Sequence, residues 1–148
     1  MKWYFASRMR HREVIKALGE ILEKHGHQFS FDWASQPSLK PYVENQNQCR
    51  TAAGAIGEAL KDTDVFVLIS DEAGTDMFIE TGIAIGCKKD GASIYNVGPY
   101  NKRSLMQFHP DIKQVDNLED IFKLHLPEAI TEVQELDKKL ALEFSGDK

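Results

Sequence analysis

The segment DTDVFVLIS, residues 62–70, constrains most strongly what this chain can fold into. Its apolar run shows no alternation with polar residues, and such a run is typical of a strand buried on both faces of a parallel sheet. The segment GTDMFIETGIAIGC, residues 74–87, follows it and predicts a helix. A strand that leads into a helix is the repeating unit of βαβ folds, so the chain is predicted to be of the α/β class.

Strand-like and helical segments alternate along the rest of the chain. A helix is predicted from Arg12 to His25, where apolar residues keep helical spacing, and Gly26 ends it. The other strands are predicted at residues 2–6, 27–33, 93–97 and 111–115. This order predicts a flavodoxin- or Rossmann-like three-layer α/β/α fold with a mostly parallel sheet of four to five strands.

The remaining segments complete a single predicted domain over residues 1–148. Residues 34–49 form a long polar connection, and residues 51–61 predict a helix of small residues. Residues 117–148 predict a C-terminal helical segment, with Asn117 as a helix cap and an amphipathic terminal helix from Leu126 to Phe144.

Composition limits the class of function. The chain has 148 residues, a hydrophobic fraction of 42% and a net charge of −5, which favour a globular domain and argue against a binder of nucleic-acid polymers or anionic membranes. The two cysteines make no disulfide or metal framework, and the histidines lack the spacing of metal ligands. No targeting segment or long apolar span is visible, so the cytoplasm is the expected compartment.

Glu80 raises the main functional question. From Met77 to Cys87 it is the only ionisable group besides the thiol, and an unpaired buried carboxylate is costly. Three interpretations are open: a carboxylate stabilised by the helix start, a salt bridge to an arginine of the first loop, or a working carboxylate at the floor of a pocket. A capping box is excluded, because Glu80 does not lie three residues after Thr75 or Asp76.

The basic turn, residues 7–12, directly follows the first strand. In parallel sheets ligands bind beyond the carboxyl ends of the strands, and this turn lies at that edge. Ser7 and Arg8, together with Arg10 and Arg12, could bind a phosphate at the helix start. The alternative is an ordinary solvated turn.

Asp32 and Trp33 end the second predicted strand over the same edge. The Trp33 indole could stack on a base or could instead be a core aromatic. The loop acids Asp71, Glu72 and Asp76 are expected to be solvated or to cap the helix.

The segments YFAS, DTDVFVLIS and GTDxFIExGIAxG together resemble the nucleoside 2-deoxyribosyltransferase family, which includes the 2'-deoxynucleoside 5'-monophosphate N-hydrolases. The similarity spans roughly residues 1–110 and is most specific from the third strand through the glutamate helix. It implies a flavodoxin-like sheet, a small-molecule nucleoside or nucleotide substrate, and no metal or organic cofactor.

The resemblance also implies roles for individual residues. Glu80, before Gly82, matches the family's nucleophile, and Tyr4 would orient it, although Tyr4 could also be a core aromatic. The family's acid on the preceding helix falls here on Ile56, so Glu58 is the nearest candidate for a proton donor, or the donor is missing. The positions expected to contact substrate are Ser7, Arg8, Asp32, Trp33, Gly74, Asp76, Met77 and Ser104.

Ser104 carries a further implication. In the resembled family a neighbouring subunit completes each site, so a homodimer or a dimer of dimers is expected, with Ser104 reaching the partner's crevice. The apolar residues Leu105, Met106 and Phe108 follow it and are expected to be buried against this domain or a partner.

These observations lead to a functional expectation with alternatives. The first is an enzyme that hydrolyses or exchanges the N-glycosidic bond of (deoxy)nucleosides or their monophosphates through Glu80. The second is a nucleotide-binding sensor or sponge on the same fold, without efficient chemistry. NAD glycohydrolase chemistry is a third and weaker possibility.

Overall fold

The computed structural model of the chain describes residues 1–146. It contains a sheet of five strands and five α-helices that alternate with them along most of the chain. The strands are β1 (Lys2–Ala6), β2 (Gln28–Phe29), β3 (Val65–Ile69), β4 (Ser93–Val97) and β5 (Ile112–Val115). The helices are α1 (Arg12–Lys24), α2 (Gln46–Lys61), α3 (Thr75–Cys87), α4 (Leu118–His125) and α5 (Ile130–Ser145).

All four strand pairings are parallel, in the order β2-β1-β3-β4-β5. This is the order of the flavodoxin-like doubly wound sheet. The predicted fold class is therefore confirmed, with five strands in one parallel sheet. The order reverses its direction between β1 and β3, and ligands of such sheets bind beyond the strand ends at that point.

The two faces of the sheet are covered by different helices. One apolar cluster joins Trp3, Phe5 and Val67 to α1, α4 and α5, and the other joins Tyr4, Phe66 and Leu68 to α2 and α3. Side chains alternate between the two faces along each strand, and β3 is buried at every position. A strand that is covered on both faces needs an apolar side chain at every position, and β3 has one at each.

Three segment boundaries differ from the sequence predictions. The second strand is confined to Gln28–Phe29, whereas residues 27–33 were predicted, because the chain turns into a 3₁₀ turn at Trp33–Ser35. Helix α2 begins at Gln46 rather than at residue 51. The terminal helix begins at Ile130, after a 3₁₀ turn at Pro127–Ala129.

The predicted C-terminal helical segment, residues 117–148, contains α4 and α5, and its residues 147 and 148 lie outside the described part of the chain. The Asn117 side chain accepts a hydrogen bond from the Asp120 N–H at 3.0 Å, so the predicted cap is confirmed. Within residues 1–146 no helix is both long and apolar enough to cross a membrane.

Candidate active site

Glu80 and Tyr4 meet between the sheet and α3. The Tyr4 hydroxyl on β1 donates a hydrogen bond to Glu80 Oε2 at 2.5 Å. The Tyr4 ring is fully buried and stacks on Phe66 of β3, with centroids 5.7 Å apart and planes inclined by 2°. Two central strands therefore fix the tyrosine, and the tyrosine fixes one oxygen of the carboxylate.

The other carboxylate oxygen of Glu80 has a different environment. Within residues 1–146 Oε1 accepts no hydrogen bond from the protein. It is also not a fully buried atom, since the one buried side-chain polar atom without a partner in that range is Asn101 Oδ1. Oε1 is therefore open to solvent and to a ligand, while Oε2 is held by Tyr4. The carboxylate has one oriented and one available oxygen.

Burial raises the pKa of Glu80 to about 7, the Tyr4 hydrogen bond opposes the rise, and the negative charge of Asp76 adds to it. Burial also raises the pKa of Tyr4, and the neighbouring Glu80 charge raises it further. The tyrosine therefore stays a hydrogen-bond donor, and the carboxylate changes protonation near neutral pH. Perturbed carboxylates of this kind are concentrated at functional sites.

Gly74 shapes the entrance to α3. Its φ of +124° lies in the region that favours glycine, and a Cβ there would lie 3.0 Å from Met77 Cε and 3.2 Å from Arg8 Cγ. The absent side chain lets the Arg8 stem lie against the start of α3. Met77, expected at the substrate, is instead 2% exposed within the core under α3, whereas Asp76 is exposed on the first turn.

Asp71 corrects one sequence prediction. It was expected to be solvated or to cap the helix, but it is 1% exposed and lies within an ion network. Arg10 Nε and Nη2 donate to its two oxygens at 2.9 and 2.8 Å, and His11 Nε2 lies 3.2 Å from Oδ2. Burial raises the pKa of Asp71, but the Glu72 N–H, Arg10 and His11 outweigh burial and hold that pKa below its ordinary value.

The basic turn is thus largely engaged within the protein. Arg8 Nη1 lies 3.7 Å from Asp71 Oδ1, and the Arg8 side chain is 36% exposed at the start of α3. Arg12 Nε donates to the Ala34 carbonyl at 2.7 Å, and Ser7 Oγ donates to the Arg8 carbonyl at 3.0 Å. Arg8 and Arg10 both pair with Asp71. They therefore do not form the salt bridge to Glu80 that was one of its three interpretations.

Trp33 and Asp32 lie at the end of β1. The Trp33 indole N–H donates to the Phe5 carbonyl at 2.6 Å, and its ring packs against both apolar clusters. Asp32 accepts a hydrogen bond from the Ser35 N–H at 3.2 Å and so caps the 3₁₀ turn. The structure thus favours the core-aromatic interpretation of Trp33, which fastens the β2–α2 connection to β1.

The structure does not bring Glu58 to the Tyr4–Glu80 pair. Its side chain is 71% exposed on α2 and pairs with Lys61 at 2.8 Å. The neighbouring Ile56 is the α2 residue that packs against the core cluster beneath α3. Within one chain, the predicted proton donor therefore points away from the nucleophile, because the helix turns it toward solvent.

Ser104 lies on an exposed segment between β4 and β5. The Gln107 Oε1 atom accepts hydrogen bonds from the Arg103 and Ser104 N–H groups, each at 2.8 Å. The apolar residues that follow are exposed: Leu105 by 85%, Met106 by 57% and Phe108 by 58%. These side chains were predicted to be buried either against this domain or against a partner. The prediction that they are buried against this chain's own core is therefore wrong.

A buried polar network that the sequence analysis missed supports this segment. Gln107 Nε2 donates to Ser70 Oγ at 2.7 Å, and Ser70 Oγ donates to Asn96 Oδ1 at 2.5 Å. These side chains anchor the β4–β5 connection to the ends of β3 and β4. A sequence signal existed, because Asn96 is an amide within an otherwise apolar strand.

Among residues 1–146 no three His, Cys, Asp or Glu side chains converge in a way that could hold a metal ion. The groups of this site that could bind or react with a ligand are therefore the Tyr4–Glu80 pair, the partly exposed Arg8, the exposed Asp76 and the free backbone amides at the start of α3.

Comparisons with known proteins bear on the fold. No protein-family model and no curated protein matches the sequence. Among solved structures the chain is similar to that of a Clostridium botulinum CMP N-glycosidase, BcmB, with a TM-score of 0.53 and 21% identity. The match covers 85% of this chain and 99% of that chain. It supports the α/β/α architecture over nearly the whole length of the neighbour.

Proposed function

We propose that this protein cleaves the N-glycosidic bond of (deoxy)nucleosides or nucleoside monophosphates, by hydrolysis or by transfer to a second base, with Glu80 as the nucleophile. The observation that carries the proposal is the Tyr4–Glu80 pair: one carboxylate oxygen is held at 2.5 Å by the tyrosine, and the other accepts no hydrogen bond from residues 1–146. The residues that resemble the nucleoside 2-deoxyribosyltransferase family support the same assignment.

The proposed chemistry follows from that pair. The ionised Oε1 of Glu80 attacks C1' of the sugar as the bond from C1' to the base nitrogen breaks, through a state with oxocarbenium character. The base leaves with the bonding electron pair and takes up a proton. Water, after losing a proton, or a second base then attacks C1' of the glycosyl–enzyme ester and releases the Glu80 carboxylate.

Tyr4 has a definite role in this proposal. Its hydroxyl hydrogen bond to Oε2 orients the carboxylate and favours the ionised form. The raised pKa of Glu80, about 7, means that burial opposes ionisation, so the charge on the nucleophile is weakly solvated. We propose no donor from α2 for the leaving base, because Glu58 pairs with Lys61 in solvent.

Arg8 is the proposed contact for a phosphate group. It is partly exposed, and its stem lies against Gly74 at the start of α3, where free backbone amides also favour an anion. Arg8→Ala should weaken the binding of CMP by about tenfold or more, as expected for a charged hydrogen bond, and change cytidine binding little. Arg50→Ala, which removes an exposed arginine of α2, is the matched control. An equal loss for the two ligands would contradict the phosphate assignment.

We also propose that the protein is a homodimer or a dimer of dimers, with Ser104 contributing to the partner's site. The exposed Leu105, Met106 and Phe108 support a partner at this segment, and Ile79 and Ile83 of α3 are exposed by 56% and 40%. Chains with Glu80→Ala, mixed with chains altered at Ser104, should regain activity because some mixed dimers have one intact site. A monomer in sedimentation at micromolar concentration would contradict this assembly.

A second function, a nucleotide-binding sensor or sponge, is favoured by one observation: α2 supplies no acid beside Glu80. A panel of nucleosides, nucleoside monophosphates including CMP, and NAD separates the two functions. Free base detected by chromatography, and lost in Glu80→Ala, supports the enzyme. Ligands that raise the melting temperature but stay intact support the sensor.

A further inference from the structure

The end of α5 lies against two loops at the carboxyl edge of the sheet, the one after β1 and the one after β4. We call Glu143 and Phe144 the C-terminal turn. Glu143 Oε1 lies 2.8 Å from His11 Nδ1, and its carbonyl accepts a hydrogen bond from Arg10 Nη1 at 3.2 Å. These contacts join the last helix of the chain to the basic turn after β1, more than a hundred residues earlier in the sequence.

Phe144 makes the apolar half of the same contact. The Arg10 guanidinium carbon lies 5.2 Å from the centre of its ring, and the His11 ring centre lies 4.8 Å away. On its other side, Gly98 has a φ of +114°, and a Cβ there would lie 3.3 Å from Phe144 Cζ. The close approach of Phe144 to the loop after β4 therefore depends on a glycine at that position.

His11 lies at the centre of this arrangement and is fully buried. One ring nitrogen faces the Asp71 carboxylate at 3.2 Å, and the other faces the Glu143 carboxylate at 2.8 Å. Arg10 is shared in the same way, with Asp71 on one side and the Glu143 carbonyl on the other. Asp71 and the C-terminal turn together hold two side chains of the basic turn, Arg10 and His11.

The consequence concerns Arg8. Because Arg10 and His11 occupy the near oxygens of Asp71, Arg8 remains at 3.7 Å with its side chain partly exposed at the start of α3. Without the C-terminal turn, Arg10 and His11 would lose their contacts with Glu143 and Phe144, and the backbone of residues 8–11 would lose that anchor to α5. Arg8 would then be free to move toward Asp71 and away from the start of α3.

We infer that the C-terminal turn is a positioning element for the basic turn: Glu143 and Phe144 hold Arg10 and His11 against Asp71, and this keeps Arg8 at the start of α3 for the anionic group of a ligand. Glu143 and Phe144 act through the basic turn and contact no reacting atom. The inference rests on the proposed function in one respect, that the ligand carries a phosphate.

The test combines a structural and a functional readout on the full chain. The double variant Glu143→Ala, Phe144→Ala should increase amide hydrogen exchange in residues 7–12 by about tenfold or more, as expected when a local unit loses its anchor. Its affinity for CMP should fall by about tenfold, the effect of one charged hydrogen bond, while its affinity for cytidine stays within about twofold. For turnover of CMP, KM should rise and kcat should stay within about threefold, because binding rather than chemistry is changed.

Two controls make this result specific. Leu142→Ala removes an exposed side chain from the same turn of α5 and should leave exchange in residues 7–12 and CMP affinity unchanged. Glu143→Gln keeps an oxygen that can accept from His11 and should recover most of the CMP affinity that Glu143→Ala loses.

The inference would be overturned if amide exchange in residues 7–12 stays at the wild-type rate in the double variant, whether or not the affinity for CMP changes. Faster exchange with equal loss of CMP and cytidine affinity would also overturn it, because Arg8 would not be the group that the turn positions. If no nucleoside or nucleoside monophosphate of the panel binds the wild-type protein, the proposed function fails, and the exchange measurement still decides whether the C-terminal turn holds the basic turn.

Discussion

Two carboxylates beyond the end of β3, Asp71 and Glu80, have opposite surroundings. Asp71 is buried and receives hydrogen bonds from Arg10, from His11 and from the Glu72 backbone N–H. From residues 1–146, Glu80 receives one hydrogen bond, from the Tyr4 hydroxyl. The pKa of Asp71 is held below its ordinary value and that of Glu80 is raised to about 7.

This difference shows how a carboxylate can serve either a structural or a chemical purpose in the same fold, depending on its surroundings. A carboxylate that accepts hydrogen bonds from an arginine and from a backbone N–H is stabilised as an anion and has both oxygens engaged within the protein, so it organises loops. A carboxylate with one neutral donor keeps an available oxygen and a charge that is poorly compensated, so it can react. We therefore assign Asp71 to structure and Glu80 to chemistry.

The largest stability effect is expected at Asp71. Asp71→Asn removes the negative charge that faces the half-buried Arg10 guanidinium and the buried His11 ring, and breaking a buried ion pair in this way costs about 3–5 kcal/mol in free energy of unfolding. Urea unfolding at pH 7 measures the loss, with Glu72→Gln, an exposed neighbour, as the control. A loss below about 1 kcal/mol, the range of surface pairs, would show that the network is not structural.

Glu80 should behave in the opposite way. Its folded pKa is raised from 4.5 to about 7, so the folded state binds the proton more tightly and the carboxylate lowers stability as pH rises from 4.5 through 7. Glu80→Gln removes that cost and should raise the free energy of unfolding at pH 8 by at most about 3 kcal/mol, with the gain vanishing near pH 4.5.

Unfolding curves at pH 5, 6.5 and 8 measure this dependence on pH. Glu58→Gln, an exposed glutamate on α2, is the matched control and should show no comparable gain. A Glu80→Gln variant that is less stable than the wild type at pH 8 would mean that Glu80 is a structural carboxylate, like Asp71.

The Tyr4 hydrogen bond should have a smaller effect. Tyr4→Phe removes the donor that favours ionised Glu80, so the pKa of Glu80 should rise and the rate of base release should reach its plateau at higher pH. A shift of the acidic limb by about one pH unit corresponds to about 1.4 kcal/mol, which is typical of one hydrogen bond to a charged group. An unchanged pH–rate profile would show that the Tyr4 hydrogen bond does not influence the ionisation of Glu80 during the reaction.

The sequence predicted the parts of this molecule that depend on local pattern. The apolar run at β3, the helix that carries Glu80 and the strand that carries Tyr4 have the periodicity of buried elements, and they lie where predicted. The pairing of Tyr4 with Glu80 follows from adjacent elements of a parallel sheet, because β1 lies next to β3.

The rest depends on contacts between distant segments, which one sequence does not reveal. Asp71 was expected in solvent or at a helix cap, because nothing near it in the chain indicates that Arg10 bonds to it and to the Glu143 carbonyl. The second strand was predicted to continue through Trp33, but the indole bonds to the Phe5 carbonyl and the chain turns away from the sheet. Glu58 was expected at the site because it is the carboxylate nearest to the position where the resembled family has its acid, and its orientation on α2 turns it toward solvent.

The rate of base release by Glu80→Gln and Asp71→Asn, measured beside the wild type, tests the central claim most directly. The substrate is the member of the nucleotide panel that the wild type cleaves fastest, and each variant is measured where unfolding curves show it folded. We expect Glu80→Gln to lose several orders of magnitude in rate, because a neutral amide cannot act as the nucleophile, and Asp71→Asn to stay within about tenfold. A Glu80→Gln variant that keeps more than about a tenth of the wild-type rate, a loss of only ~1.4 kcal/mol, would contradict the assignment of Glu80 to chemistry.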